Sequence, residues 1–252
     1  MDFMMFGLED QLKDWLKEDV GSGDITTNAI VDAAAETTGI LHAKVDGVLA
    51  GTAVAAKVFQ LLDADCIVDI RLSDGARLQN GSVIAAVHGR ARAVLTGERL
   101  ALNLLQHLSG VATRTAALAA IAAPYGARLV DTRKTTPGLR MLEKYAVRVG
   151  GGANHRLGLY DAMLIKDNHI KVAGGIAAAV ARGRAAASHM TKIEVEVESL
   201  AGVDEALAAG ADVIMLDNME PALMAEAVGR IRHRAVTEAS GGIDEHTLAA
   251  AA

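Results

Sequence analysis

The sequence predicts an α/β protein in two parts: a mixed first part, then repeated β/α units around a parallel sheet closed or partly closed as a barrel. Three observations predict it. From residue 127 onward, strand-like and helical runs alternate, the rhythm of a parallel sheet built from β/α units. Before that, short extended runs are separated by Asp-Gly and Asn-Gly dipeptides, which are signals for antiparallel turns. Finally, 51% of the 252 residues are apolar but only 3% are aromatic, so Ala, Val, Leu and Ile must fill the core. That composition suits helices packed on a sheet better than a sandwich or a base-stacking platform.

Taken in order, "GLEDQLKDWLKEDV" (7–20) puts Leu8, Leu12, Trp15 and Leu16 on one helical face. "GSGDITTNAIV" reads as a turn-rich loop. "TGILHAKVDGVLAG" (38–51) reads as a strand, a tight Asp-Gly turn and a second extended piece. "TAVAAKVFQLLD" (52–63) is a helix with Thr52 as its N-cap. "CIVDIRL" and "SVIAAVHG" are strands on either side of "SDGARLQNG". The run "ARAVLTGERLALNLLQHLSGVATRTAALAAIAAPYG" is helical, with a break expected at Ser109–Gly110.

In the second part the strands are "ARLVDT" (127–132), "DAMLIK" (161–166), "KIEVEVE" (192–198), "ADVIMLD" (211–217) and "AVTEAS" (235–240). Helical stretches lie between them. The one in "TTPGLRMLEKYAVRVGGG" has Thr136 available as a cap, Pro137 at the first helical position and Gly150 at its end, and it buries Leu139, Leu142, Ala146 and Val149.

The net charge of −6 gives no global attraction to nucleic acid or anionic membranes, so an anion site must be a local cluster of cations. The single cysteine, Cys66, cannot form an internal disulfide and is expected in or near a buried strand. No leader or apolar run of membrane-spanning length is seen, so a cytoplasmic protein is expected. His42, His88, His107, His169, His189, His233 and His246 show no metal-ligand spacing.

In a parallel β/α barrel, active-site residues sit at the C-terminal ends of the strands. Here those ends carry Thr132, Arg133 and Lys134, then Lys166, then Glu196, then Asp217, then Ser240, Gly241 and Gly242. Three cations aim at one mouth, and "GGGANHR" (150–156) adds His155 and Arg156 after a glycine run whose amides could cradle phosphate or carboxylate. Glu196 and Asp217 beside those cations suit a Mg²⁺–pyrophosphate ligand, bound directly or through water, or a developing carbocation. The bland alternative for Glu194, Glu196 and Glu198 is one solvated face of an edge strand.

Together, "TRKTTPGLR", "EKYAVRVGGGANHRLGLYDAMLIKDNHI", "EVEVESL", "ADVIMLDN" and "EASGGI" resemble quinolinate phosphoribosyltransferase, a decarboxylating pentosyltransferase of NAD biosynthesis; "EDVGSGDITT" and "ARAVLTGERLALNLLQHLSGVAT" match as well. The resemblance implies an N-terminal α/β sandwich domain (1–111) and a partly open parallel β/α barrel as the catalytic domain (112–252), paired as a homodimer. It implies quinolinate contacts at Arg99, Thr132, Arg133, His155, Arg156 and Lys166. It puts phosphoribosyl, phosphate or metal contacts at Lys134, Lys166, Glu196 and Asp217, with Ser240, Gly241 and Gly242 near a phosphate. Mg²⁺ would accompany phosphoribosyl pyrophosphate, and Arg99 would reach the partner's site.

Rival readings are a Schiff-base lysine at Lys166, a related molybdenum-transport-associated protein of the same fold, and a non-catalytic anion-binding homologue. The family continues past "ASGGI" to a further strand with phosphate contacts, whereas this sequence closes on "DEHTLAAAA". The expectation is that the sequence is incomplete and that this strand is missing from it.

Overall fold

A computed structural model describes residues 7–252; the six residues that open the expected first domain lie outside the described residues. The chain divides into two compact units. One runs up to Ala119 and includes Leu129–Asn154; the other comprises Ala120–Arg128 and His155–Ala252.

The first unit contains helices α1 (Leu8–Val20), α2 (Ile25–Ile30), α3 (Thr52–Leu62), α4 (Ala91–Ala122, most of its length) and α5 (Arg140–Val149). Strands β1 (Glu36–His42), β5 (Val83–Arg90) and β3 (Ile67–Ile70) form an antiparallel sheet in that order, while β2 (Gly47–Val48) pairs with β4 (Arg77–Leu78). The core joins Leu8, Leu12 and Leu16 of α1 to Val58 and Phe59 of α3, Ile84 and Val87 of β5, and Leu104, Leu105 and Leu108 of α4. Cys66 is buried just before β3.

Four expectations change here. The stretch read as a loop after α1 contains helix α2, because the Asp24 carboxylate accepts from the Thr27 backbone N–H and hydroxyl and caps it. The Asp-Gly turn does not make a hairpin: β1 and β2 belong to different sheets. Thr52 is the first residue of α3 rather than its cap. Asp74, more than twenty residues away in sequence, accepts from the N–H groups of Gly51 and Thr52 and from the Thr52 hydroxyl.

Helix α4, finally, runs unbroken through Ser109–Gly110. Those small polar residues serve the neighbouring backbone: Ser109 Oγ accepts from Ala50 N at 3.0 Å, and Thr113 Oγ1 accepts from Val48 N at 2.8 Å.

The second unit is a run of β/α repeats: β6 (Met163–Ile165), α6 (Asp167–Ala173), α7 (Ile176–Ala186), β7 (Ile193–Val197), α8 (Leu200–Ala208), β8 (Val213–Asp217), α9 (Pro221–Ile231), β9 (Val236–Ser240) and α10 (Leu248–Ala251). Its strands form a parallel sheet in the order β6-β7-β8-β9. Sequential neighbours joined by helices make a barrel wall. Ile165, Ile193, Val195, Val197, Ile214 and Leu216 pack with Val180, Val203, Ala227 and Ile231 of the helices.

The expected strand at 127–132 is reduced to one parallel bridge, Val130 with Ala153. Asp131 N donates to Ala153 O and Ala153 N to Leu129 O.

Among the described residues, no helix is long and apolar enough to cross a membrane.

Candidate active site

In the first unit, the segment carrying Thr132, Arg133 and Lys134 is braced from below. Lys144, on α5, is 2% exposed and ion-pairs with Asp131. Asn154 donates from Nδ2 to the other Asp131 oxygen at 2.5 Å and to the Lys144 carbonyl at 2.9 Å. A buried cation is tolerated only when paired and hydrogen-bonded, so this network fixes where the segment leaves its bridge. Above it, Thr132 Oγ1 accepts from Lys134 N at 2.9 Å, and Arg140 donates to Thr135 Oγ1 at 3.0 Å and to the Arg133 carbonyl at 3.3 Å. Lys134 is exposed and Arg133 half-buried. Sequence reading missed Lys144, because a lysine within an amphipathic helix carries no local signal of burial.

The helix after this segment starts one turn later than expected. Pro137 and Gly138 form a turn in which Leu139 N donates to Thr136 O and Gly138 has φ 82°, and α5 begins at Arg140. Thr136 does not cap it: Thr136 N donates instead to Glu143 Oε2, while Glu143 Oε1 meets His107 at 2.8 Å. Nor does the triple glycine cradle an anion. The N–H groups of Gly150, Gly151 and Gly152 donate to Ala146, Arg148 and Val147 carbonyls, closing α5. A Cβ on Gly150 would lie 2.4 Å from the Ala112 carbonyl oxygen. Gly150 is there for helix approach.

In the second unit, polar groups stand at the ends of the strands. Lys166 follows β6 and ion-pairs with Glu196 on the adjacent strand β7. Its backbone N–H donates to His169 Nδ1 at 2.9 Å, so His169 fixes the residue that carries the ammonium. Asp217 ends β8 opposite Ser240 of β9. Asn218, at φ 53°, donates from its backbone N to Ser240 O and from Nδ2 to Asp217 Oδ2. Gly241 and Gly242 follow with positive φ, and Thr247 donates to the Gly242 carbonyl at 3.0 Å.

The edge-strand reading of the three glutamates fails. Strand β7 lies inside the sheet, Glu194 is 6% exposed, and only Glu198 of the three is exposed. Glu194 sits 2.9 Å from His155 Nε2, and Glu238 of β9 lies 3.5 Å from the same atom. Arg156 N donates to His155 Nδ1 at 2.7 Å, and Arg156 also donates to the Ala162 carbonyl at 3.3 Å. The Glu194 hydrogen bond raises the His155 pKa against the opposing effect of burial. Burial first, then the Glu194 charge, raises the Glu238 carboxyl above its ordinary range.

Glu238 was not singled out from the sequence. The available signal was an acid at an interior position of "VTEAS". Arg99 is exposed on α4.

Comparison with known proteins then decides the family. The family domain "Quinolinate phosphoribosyl transferase, C-terminal domain" matches residues 111–252, and the corresponding N-terminal domain matches 24–109. The chain belongs to the quinolinate phosphoribosyltransferase family.

Relatives agree. A probable nicotinate-nucleotide pyrophosphorylase (carboxylating) of Bacillus subtilis is 47% identical over 96% of this chain and 84% of its own length. A quinolinate phosphoribosyltransferase (decarboxylating) of Nicotiana tabacum is 38% identical over 92% of this chain and 71% of its own. The crystal structure of NadC from Streptococcus pyogenes matches with a TM-score of 0.94 and 48% identity, covering 97% of this chain and 86% of that one. The family fold, a small sheet domain with a parallel-strand sheet, is the one described above.

Proposed function

We propose that this chain transfers a phosphoribosyl group from phosphoribosyl pyrophosphate to quinolinate with decarboxylation, giving nicotinate mononucleotide, pyrophosphate and CO₂. Its support is family membership together with the row of groups at successive strand ends in the second unit: Lys166, Glu196, Asp217 and Ser240. Arg156 in the same unit, and Arg133 and Lys134 in the first unit, are the further cations that the family resemblance assigns to the substrates. Guanidinium forks match carboxylates, and a lysine suits a phosphate as a point charge. Arg133, His155, Arg156 and Lys166 are assigned to the quinolinate carboxylates with Thr132, and Lys134 with Ser240, Gly241 and Gly242 to the phosphoribosyl donor.

In this reaction the pyridine nitrogen attacks the anomeric carbon as pyrophosphate departs. Glu196 and Asp217 are assigned to stabilise the cationic carbon, and positioning supplies most of the acceleration. The ring nitrogen becomes cationic. When the 2-carboxylate leaves as CO₂, its bonding pair stays on the ring carbon beside that nitrogen and takes up a proton.

Mg²⁺ fits the donor set as a companion of the substrate rather than a caged ion. Glu196 and Asp217 offer hard oxygens of the kind that hold it alongside water and phosphates, but each is also engaged by a neighbouring side chain, Lys166 or Asn218. Its contribution would be to neutralise charge on the departing pyrophosphate.

Arg99 is assigned to the site of a partner in a homodimer; its exposure on α4 leaves it available for that. Incubation of the purified chain with quinolinate, phosphoribosyl pyrophosphate and Mg²⁺ should release nicotinate mononucleotide, pyrophosphate and CO₂ in equal amounts. Pyrophosphate release that does not depend on quinolinate would contradict the assignment.

A further inference from the structure

Under the functional reading above, Arg156 binds a substrate carboxylate, and His155 next to it has both ring nitrogens engaged within the protein. Its anchor comes from the sheet. Glu194 of β7 and Glu238 of β9 converge on one ring nitrogen of His155, at 2.9 and 3.5 Å. The other ring nitrogen accepts the Arg156 N–H at 2.7 Å. We propose that Glu238 is a positioning residue for substrate-carboxylate binding, which with Glu194 holds the His155 ring and, through that ring, the backbone of Arg156.

Three observations carry this. First, the contacts are serial: carboxyl pair, imidazole, peptide N–H, and then the guanidinium of Arg156, itself tied to the Ala162 carbonyl at 3.3 Å. A displaced ring therefore moves Arg156. Second, Glu194 is nine-tenths buried and its Oε1 has no hydrogen-bond partner. Glu238 stands beside it, half-buried, and burial together with the Glu194 charge favours the protonated Glu238 carboxyl, which is then a donor next to Glu194. Third, the ring tautomer is set. An Nδ1 that accepts a peptide N–H leaves the imidazole proton on Nε2, pointing at the carboxylates.

That tautomer also argues against the other reading of the three side chains, a divalent cation held by His155, Glu194 and Glu238, whose ligand atoms lie within 4.8 Å of one another. A neutral imidazole bound to metal through Nε2 carries its proton on Nδ1, where the Arg156 N–H already points.

The test is steady-state kinetics on the full chain with each substrate varied in turn, compared among wild type, Glu238→Ala and Glu238→Gln. Glu238→Ala should raise KM for quinolinate by about tenfold, the scale of one lost charge-assisted hydrogen bond, with KM for phosphoribosyl pyrophosphate and kcat near wild type. Glu238→Gln, which keeps a donor and an acceptor in the same place, should stay within about threefold of wild type.

An unchanged quinolinate KM in Glu238→Ala, or equal losses in both substrates and in kcat, overturns the proposal while leaving the enzyme reading intact. A wild-type chain that makes no nicotinate mononucleotide overturns the enzyme reading itself. Should Glu238→Ala fail to fold, Glu238→Asp, which withdraws the carboxyl by one methylene, should show the same selective rise; its absence there counts against the proposal. Tight Zn²⁺ or Mn²⁺ binding by wild type that Glu238→Gln abolishes would also overturn it, in favour of a metal.

Discussion

Lys166 and Glu196 form an ion pair across two adjacent parallel strands, β6 and β7. The Glu196 side chain is 12% exposed, and Lys166 is its ionic partner. Lys166→Ala should lower kcat/KM by about a hundredfold or more, as expected for loss of one preorganised charged group. Glu196→Gln should cost a similar factor. The double variant should lose much less than the product of the two, because each single change already breaks the pair. Multiplicative losses in steady-state kinetics would show that the two act separately. An ammonium committed to a carboxylate is also a poor amine nucleophile, so borohydride should not trap a carbonyl substrate on Lys166.

Lys144 is a buried cation whose stability rests on Asp131 and Asn154. Removing one partner of such a pair strands the other charge. Asp131→Ala should therefore destabilise the chain by about 3–5 kcal/mol, read as a drop in the chemical-denaturation midpoint. Replacing Asp131 and Lys144 together by apolar residues should recover a large part of that loss.

Gly150 and Gly151 separate packing from backbone strain. Gly150→Ala drives a methyl group to 2.4 Å from the Ala112 carbonyl oxygen and should cost about 3 kcal/mol or more. Gly151 has φ 91° but open space where a Cβ would stand, so Gly151→Ala should cost only about 1 kcal/mol through strain. Thermal unfolding of the two variants should rank them in that order.

Glu238 binds its proton more tightly when folded, from burial first and then from the Glu194 charge. The stabilisation that goes with a carboxyl raised in this way is complete below the ordinary carboxyl range and is lost as pH rises through the folded value. Stability should therefore fall as pH rises through that window, and Glu238→Gln should flatten the slope. Melting temperature measured against pH checks this.

Arg99 gives a test in trans. Arg99→Ala and Lys134→Ala should each be nearly inactive alone. Mixed and re-paired, the two chains should recover about a quarter of wild-type activity if a homodimer shares Arg99 across its sites, since half the dimers are mixed and each has one intact site. No recovery would place Arg99 in its own chain's function.

The alternating strand-helix rhythm made the second unit legible, since each repeat buries its own apolar stripe and ends its strand in a polar group. Lys166, Glu196, Asp217 and Ser240 could be found from that rule alone. Features that depend on distant partners were not legible. Asp74 caps α3 from beyond it, Ser109 and Thr113 hold strand-like backbone without interrupting their helix, and Glu238 matters only because His155 folds against it. The expected strand at 127–132 failed for the same reason: a ladder needs backbone partners from a distant segment, and only Ala153 meets it.

Gly241 and Asn218 close the strand-end loops of β8 and β9 against each other. A Cβ at 241 would fall 2.2 Å from Asn218 Oδ1, and both residues already hold left-handed backbone. Neither position can drift alone: a larger residue at 241 becomes tolerable only once 218 has shrunk, and a shrunken 218 gives up its hold on Asp217. In evolutionary terms the rim is a two-position lock, and lineages that keep Asp217 should inherit the Asn and the Gly as one unit.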